Sequence, residues 1–251
     1  MQDPNLISAA VFNNAVWCDA VCQALGCDTD FVDDLWINSG TSPPFYPNAI
    51  SLTRAGADDQ FGRIGQMIEA GLPSGWTEKD SFSVLDLARH GLGVLFEAEW
   101  LGLPAGRSMF GADRSGAIWE PVTSDADLAA WEAAWRRAHG HALSGQSPAR
   151  VFMPDLLGDP DIVLLAAHRQ AETVGLVVAN RSDDGSGAVV GISNLVLPDD
   201  DRDALRAGAV TAVMSTFPDL AVVGYERGTE LDAMVELGFE RLGPLRVWTT
   251  P

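Results

Sequence analysis

The chain lacks any apolar run long enough to cross a membrane. The longest, residues 162–167, stops at six, where a spanning helix needs about 20. Residues 1–12 carry no basic residue ahead of their apolar stretch, so they do not read as a signal peptide. Positive charge is scarce. Sixteen Lys and Arg face 35 Asp and Glu, for a formal charge of −19, with −9 up to Ser115 and −10 beyond it. The acidity therefore runs along the whole chain. A field of that sign repels phosphate backbones, which excludes nucleic-acid binding as the main task. Cysteine is rare too: Cys18, Cys22 and Cys27 are the only three. An odd count without an export signal fits a reduced, cytoplasmic protein. With spacings of four and five residues and no histidine before His90, they make a poor zinc site and read as small buried side chains of a helix.

What is present is 251 residues, 47% of them apolar, enough for one large domain or two small ones. Apolar residues at Ala10, Val11, Ala15, Trp17, Val21, Cys22 and Leu25 keep close to a 3.6-residue period, predicting a helix over 6–25 that Gly26 stops. Strands are expected at 31–37 and 49–53, and a helix from Asp58 to near Gly71. Two more strands follow at 82–87 and 92–100, parted by the Arg89-His90-Gly91 turn. Beyond 100 the composition shifts to Gly, Pro, Ala and Ser, the mark of a linker. This divides the chain into an N-terminal α/β lobe (1–103), a linker (104–116) and a second unit (117–251).

The second unit reads more clearly. A strand at 118–122 leads through Thr123-Ser124-Asp125, an N-cap, into a helix over 126–139 with Leu128, Trp131 and Trp135 on one face. After a loop-rich stretch to 160, strands at 162–167, 174–178 and 188–197 form an antiparallel meander. A helix at 201–216, a strand at 220–225, a helix at 229–237 and a strand at 245–249 complete it. A meander followed by a β-α-β crossover is α+β, neither a Rossmann repeat nor a barrel.

Two stretches carry a family resemblance. Gly191-Ile-Ser-Asn-Leu-Val-Leu-Pro198 looks like a central strand leading into a cofactor loop, and Leu237-Gly238-Phe239 like the end of a helix running into the last strands. With the element order, they make residues 118–251, about half the chain, resemble the GCN5-related N-acetyltransferase (GNAT) fold, a mixed sheet flanked by helices. The first half can be read as a shorter copy: 49–53 with 58–70 matches 194–197 with 201–216, and both halves end a strand on tryptophan, at Trp100 and Trp248. Two unrelated α/β pieces would look much the same.

The resemblance implies transfer of an acetyl group from acetyl-CoA, the cofactor, to the amine of a small molecule, and an acidic cleft suits a cationic amine. Main-chain N–H groups of Asn194, Leu195, Val196 and Leu197 would hold the thioester carbonyl. The family's phosphate loop, Arg/Gln-x-x-Gly-x-Gly/Ala, falls on Arg202, Leu205 and Ala207, with Arg206 beside them; Leu205 departs from the pattern, standing where the first glycine belongs. The loop works through N–H groups at a helix N-terminus, aided by the helix dipole. Asp199, Asp200, Asp201 and Asp203 crowd that start. Two charges ~5 Å apart at an effective dielectric of about 20 interact by roughly 3 kcal/mol, so these carboxylates oppose a pyrophosphate, or simply cap an ordinary helix.

The tyrosine that often protonates the departing thiolate would stand five residues before Phe239, where this chain has Met234, and a thioether donates no proton. Of the two tyrosines, Tyr46 lies in a Pro-Pro-Phe-Tyr-Pro run and reads as a rigid packed turn. Tyr225 as acid and Glu226 as base form the best pair on offer, against a core tyrosine beside a surface glutamate. His139 and His141 read as a helix end, and Ser74 and Ser144 lack a nucleophile-elbow frame. The residues leave a second reading open: a non-catalytic domain that keeps the fold to bind a ligand or a partner chain, for instance as a homodimer.

Overall fold

In the computed structural model of the protein, residues 4–71, 75–140 and 150–251 are described; Ser74, His141 and Ser144 lie outside them. Helix α1 (Pro4–Ala24) buries Ala10, Val11, Trp17, Cys18, Val21 and Cys22 along one side, and Gly26 ends it at φ 77°. The expected strand at 31–37 is a hairpin, β1 (Thr29–Val32) and β2 (Leu35–Asn38), because Asp33 takes a left-handed φ of 53° and the chain reverses over two residues. Strand β3 (Ala49–Ser51), helix α2 (Ala57–Ala70), strand β4 (Thr77–Asp80) and the long strand β5 (Gly93–Leu103) complete the first half.

One expectation fails near residue 80, and one strand there was not expected. Residues 82–87 form no strand: the Asp80 carboxylate accepts hydrogen bonds from the backbone N–H groups of Phe82, Val84 and Leu85 at 3.4, 3.1 and 2.8 Å and folds the chain over itself. Thr77–Asp80, which has no apolar alternation, is nonetheless an interior strand.

The second half follows its expected order: β6 (Ile118–Pro121), α3 (Asp125–Ala138), β7 (Ile162–Arg169), β8 (Glu172–Asp183), β9 (Ala188–Val196), α4 (Arg202–Thr216), β10 (Ala221–Glu226), α5 (Gly228–Glu236) and β11 (Glu240–Thr249). Strand β11 starts five residues earlier than its apolar pattern suggests, because it pairs along the length of β5.

The strands form one mixed sheet in the order β1-β2-β3-β4-β11-β5-β10-β9-β8-β7-β6. Strand β5 thus lies between β11 and β10, so strands from before and after residues 104–116 interleave at the centre. The units β3-α2-β4 and β9-α4-β10 are both parallel crossovers, and the strands after them are exchanged: β5 joins β10 while β11 joins β4. Residues 104–116 hold no helix or strand; they cross the end of α5, where Phe110 N–H donates to the Leu237 carbonyl at 2.8 Å. Helices α1 and α3 cover one sheet face through Trp17, Trp131 and Trp135, joined by Phe152 from the loop after α3, and α4 and α5 cover the other through Val210, Val213, Leu231 and Met234. Among the described residues no helix is long and apolar enough to cross a membrane.

Candidate active site

Strands β9 and β10 run parallel but pair only over Val189, Val190 and Gly191 against Ala221, Val222 and Val223. One residue further they still touch, since a Cβ on Gly224 would stand 3.0 Å from the Ile192 carbonyl oxygen. Then they part. Strand β9 carries a bulge at this place: Ser193 pairs with Val178 but Val196 with Leu176, leaving one residue extra. Asn194 absorbs it at φ 51°, a conformation asparagine tolerates better than most residues, and its Oδ1 accepts a hydrogen bond from Trp135 Nε1 at 3.1 Å.

The gap opens onto a cavity of about 250 Å³ whose wall includes Asn13 and Asn14 of α1, Asn194 and Leu195 of β9, and Tyr225 and Glu226 of β10. Alternation along β10 sends the last two to opposite sheet faces. Tyr225 lies on the α1 side, its ring edge-on to Trp100 at 5.4 Å and its hydroxyl accepting from Lys79 Nζ at 3.4 Å. Glu226 lies on the α4–α5 side. Burial, and then the like charge of Glu230, push its carboxyl up to about 7, against the pull of Arg206 and Arg227.

Glu230 accepts hydrogen bonds from both arginines of α4, from Arg202 at 3.1 Å and Arg206 at 2.8 Å. Arg206 is 3% exposed and also paired with Asp203. Asp199 pairs with Arg202 and Asp201 with Arg169, so the aspartates do not cap α4; Asp201, at φ 61°, makes no side-chain bond to the first turn. Among the described residues, no N-cap side chain accepts from the opening N–H groups of this 15-residue helix, a donor set suited to a phosphate. Leu205 does not project toward them: it is fully buried against Leu197 and Ala167. Ala207 is buried as well, and Val196 packs toward the α1–α3 cluster.

Of the residues singled out from sequence, the cavity wall brings together Asn194, Leu195, Tyr225 and Glu226, while Arg202, Arg206 and Ala207 stand on α4. Sequence reasoning missed Lys79, the only lysine in the chain, a singularity that was the available signal. It also missed the wall that the Pro43-Pro44-Phe45-Tyr46 turn supplies. Tyr46 is buried, which pushes its hydroxyl well above the ordinary tyrosine range. A second chamber of about 890 Å³ shares Phe45, Tyr46, Lys79 and Tyr225 with the first. Among the described residues no three His, Cys, Asp or Glu side chains gather as a metal site.

No family model matches the chain, and no curated protein matches its sequence. Solved structures do match its fold. A GCN5-related N-acetyltransferase from Kribbella flavida aligns over 94% of this chain and 95% of its own, with a TM-score of 0.62 and 14% identity. A functionally unknown conserved protein from Staphylococcus epidermidis gives 0.56 at 13% identity over 89% and 94%. A GCN5-related N-acetyltransferase from Sphaerobacter thermophilus gives 0.53 at 11% over 99% and 93%. The likeness takes in the N-terminal half, which the sequence motifs, confined to 118–251, left out. From one end to the other, the chain has the fold of the GCN5-related N-acetyltransferases.

Proposed function

We propose that the protein transfers an acetyl group from acetyl-CoA to the amine of a small molecule. The observation that carries this reading is the gap between β9 and β10, with Glu226, its carboxyl near 7, in the wall of the cavity behind it. A base poised near the working pH suits removal of a proton from an ammonium group. Backbone N–H groups from Asn194 to Leu197, released from strand pairing on the β10 side, would hold the thioester carbonyl and the negative charge it develops. The uncapped start of α4, with Arg202, would hold the phosphates, and Arg206 adds positive potential from beneath. Glu226 takes the proton of the ammonium, through a water. The freed amine would form the C–N bond as the C–S bond breaks; the Tyr225 hydroxyl would give its proton to the departing thiolate and regain one from the second proton that the nitrogen sheds as it becomes an amide. The free thiols Cys18, Cys22 and Cys27 fit a reducing, cytoplasmic setting for the reaction.

The carboxylates of Asp199, Asp200 and Asp203 at the start of α4 favour a second reading, a domain that binds a ligand or partner without catalysis. Isothermal titration with acetyl-CoA and CoA separates the two. Saturable binding with a Kd below about 100 µM, together with turnover on an amine panel, supports the enzyme. No heat at millimolar CoA supports the binding domain.

A further inference from the structure

Lys79 is the only lysine in the chain and is 4% exposed. Its ammonium has three donors. Asn14 Oδ1 takes one at 2.6 Å and the Tyr225 hydroxyl another at 3.4 Å, with the Tyr225 ring 4.4 Å beneath the nitrogen. These partners are neutral, and among the described residues Lys79 forms no ion pair. Its strand neighbours Glu78 and Asp80 alternate onto the other face, and Asp80 is spent on the backbone of 82–85. Cys18, also in the cavity wall, is held as a thiol, since burial raises it to about 11. Among the described residues no carboxylate thus forms an ion pair with the lysine; Glu78, on the opposite face, feels its charge, but burial pushes that carboxyl well above the usual range. A buried charge without a counter-charge is costly, and Lys79 stands where the two cavities meet, so its partner must come from what enters them.

We propose that Lys79 binds the carboxylate of the acceptor, and that the acceptor is an apolar α-amino acid acetylated on its amine; this rests on the acetyl-transfer reading above. Three groups of one small molecule find three surroundings. The ammonium faces the gap and Glu226, and the carboxylate meets Lys79. The apolar body enters the larger chamber against Pro43, Phe45, Leu95, Phe96 and Val247. Arg150, at that chamber's edge, is taken by Asp125 and Glu132, leaving Lys79 as the anchor. A carboxylate fits better than a phosphate: Lys79 is a single point charge with no guanidinium fork beside it, and the acidic chain opposes a dianion.

The sole lysine makes the test direct. In full-length protein carrying 13C-lysine, the side-chain signal belongs to Lys79 alone. Leucine and phenylalanine are titrated against their decarboxylated counterparts, isopentylamine and phenethylamine, and against O-phosphoethanolamine. The amino acids are expected to shift the Lys79 Cε resonance saturably and the plain amines not. Calorimetry on Lys79→Met is expected to show at least a tenfold loss of amino-acid affinity and none for the amines; removal of an unpaired buried charge leaves this variant able to fold. Equal binding of amines and amino acids, or preference for the phosphate compound, overturns the proposal. Binding is read without acetyl-CoA, so the two ideas fail separately. Lys79-dependent binding with no acetyl transfer leaves Lys79 standing and removes the enzyme. Transfer to phenethylamine at the rate for phenylalanine, unchanged in Lys79→Met, does the reverse.

Discussion

Glu230, not Glu226, holds the guanidinium of Arg206, at 2.8 Å. The arginine closest to neutralising the candidate base is therefore shared with a second carboxylate, whose own charge raises Glu226 further. The pH profile of kcat/KM for acetyl transfer is expected to rise through an apparent pKa near 7. In Glu230→Gln the like charge disappears and Arg206 is freed, so the limb moves down by about half to one unit. An unmoved limb would show that another group sets it.

The same carboxyl weakens the fold. Its folded pKa is raised from 4.5 to about 7, so between those values the native state binds a proton that the unfolded chain has released. Stability therefore falls as pH rises through that window, by about 3 kcal/mol at most. Glu226→Gln removes the penalty. Urea denaturation is expected to find the variant more stable than wild type at pH 8 and equal to it near pH 4, while acetyl transfer is lost. Equal stability at both pH values would mean that Glu226 titrates as an ordinary surface acid.

At the start of α4, two neighbours of the first turn are expected to behave in opposite ways. Leu205 is fully buried with Leu197, so Leu205→Ala costs about 3 kcal/mol in stability and leaves CoA affinity as it was. Asp200 is exposed, so Asp200→Asn leaves stability unchanged. It is expected to tighten CoA binding about two- to fivefold at low salt, a gain that fades as salt screens the charge. Calorimetry at two ionic strengths checks both.

Much of the second half was legible in the sequence because its elements bury one face each. Val190 and Ile192 of β9, and Leu128, Trp131 and Trp135 of α3, alternate or recur with the period of their element. In the first half, strand β4 stayed hidden for the opposite reason. Strand β4 is Thr-Glu-Lys-Asp, with Glu78, Lys79 and Asp80 all buried, and no apolar pattern announces a strand whose side chains are charged. The place of Tyr225 and Glu226 in the cavity wall was readable because they end a strand beside the crossover. Lys79 was not, since it reaches them from a strand 146 residues away in sequence. Leu205 misled because spacing alone placed it at the phosphate loop, when the turn of α4 carries it into the core.

The bulge that opens the gap between β9 and β10 depends on a single residue. Asn194 takes φ 51° and accepts the indole N–H of Trp135 at 3.1 Å. Asn194→Ala loses both advantages: a Cβ residue at positive φ costs about 1 kcal/mol, and the abandoned, part-buried indole donor about 1 more. Asn194→Gly loses the Trp135 bond and a weak one to Ser193 Oγ at 3.3 Å but not the backbone turn, because glycine adopts this φ freely. Alanine is therefore expected to destabilise by about 2 kcal/mol and glycine by about half as much. In the Trp135→Phe background the donor is gone, so the bond no longer counts and glycine becomes nearly neutral. Since the bulge shapes the wall of the cavity, kcat is expected to fall further for alanine than for glycine. Identical losses for the two would mean that the asparagine is kept for its side chain alone and that the backbone turn has no part in holding the strands apart.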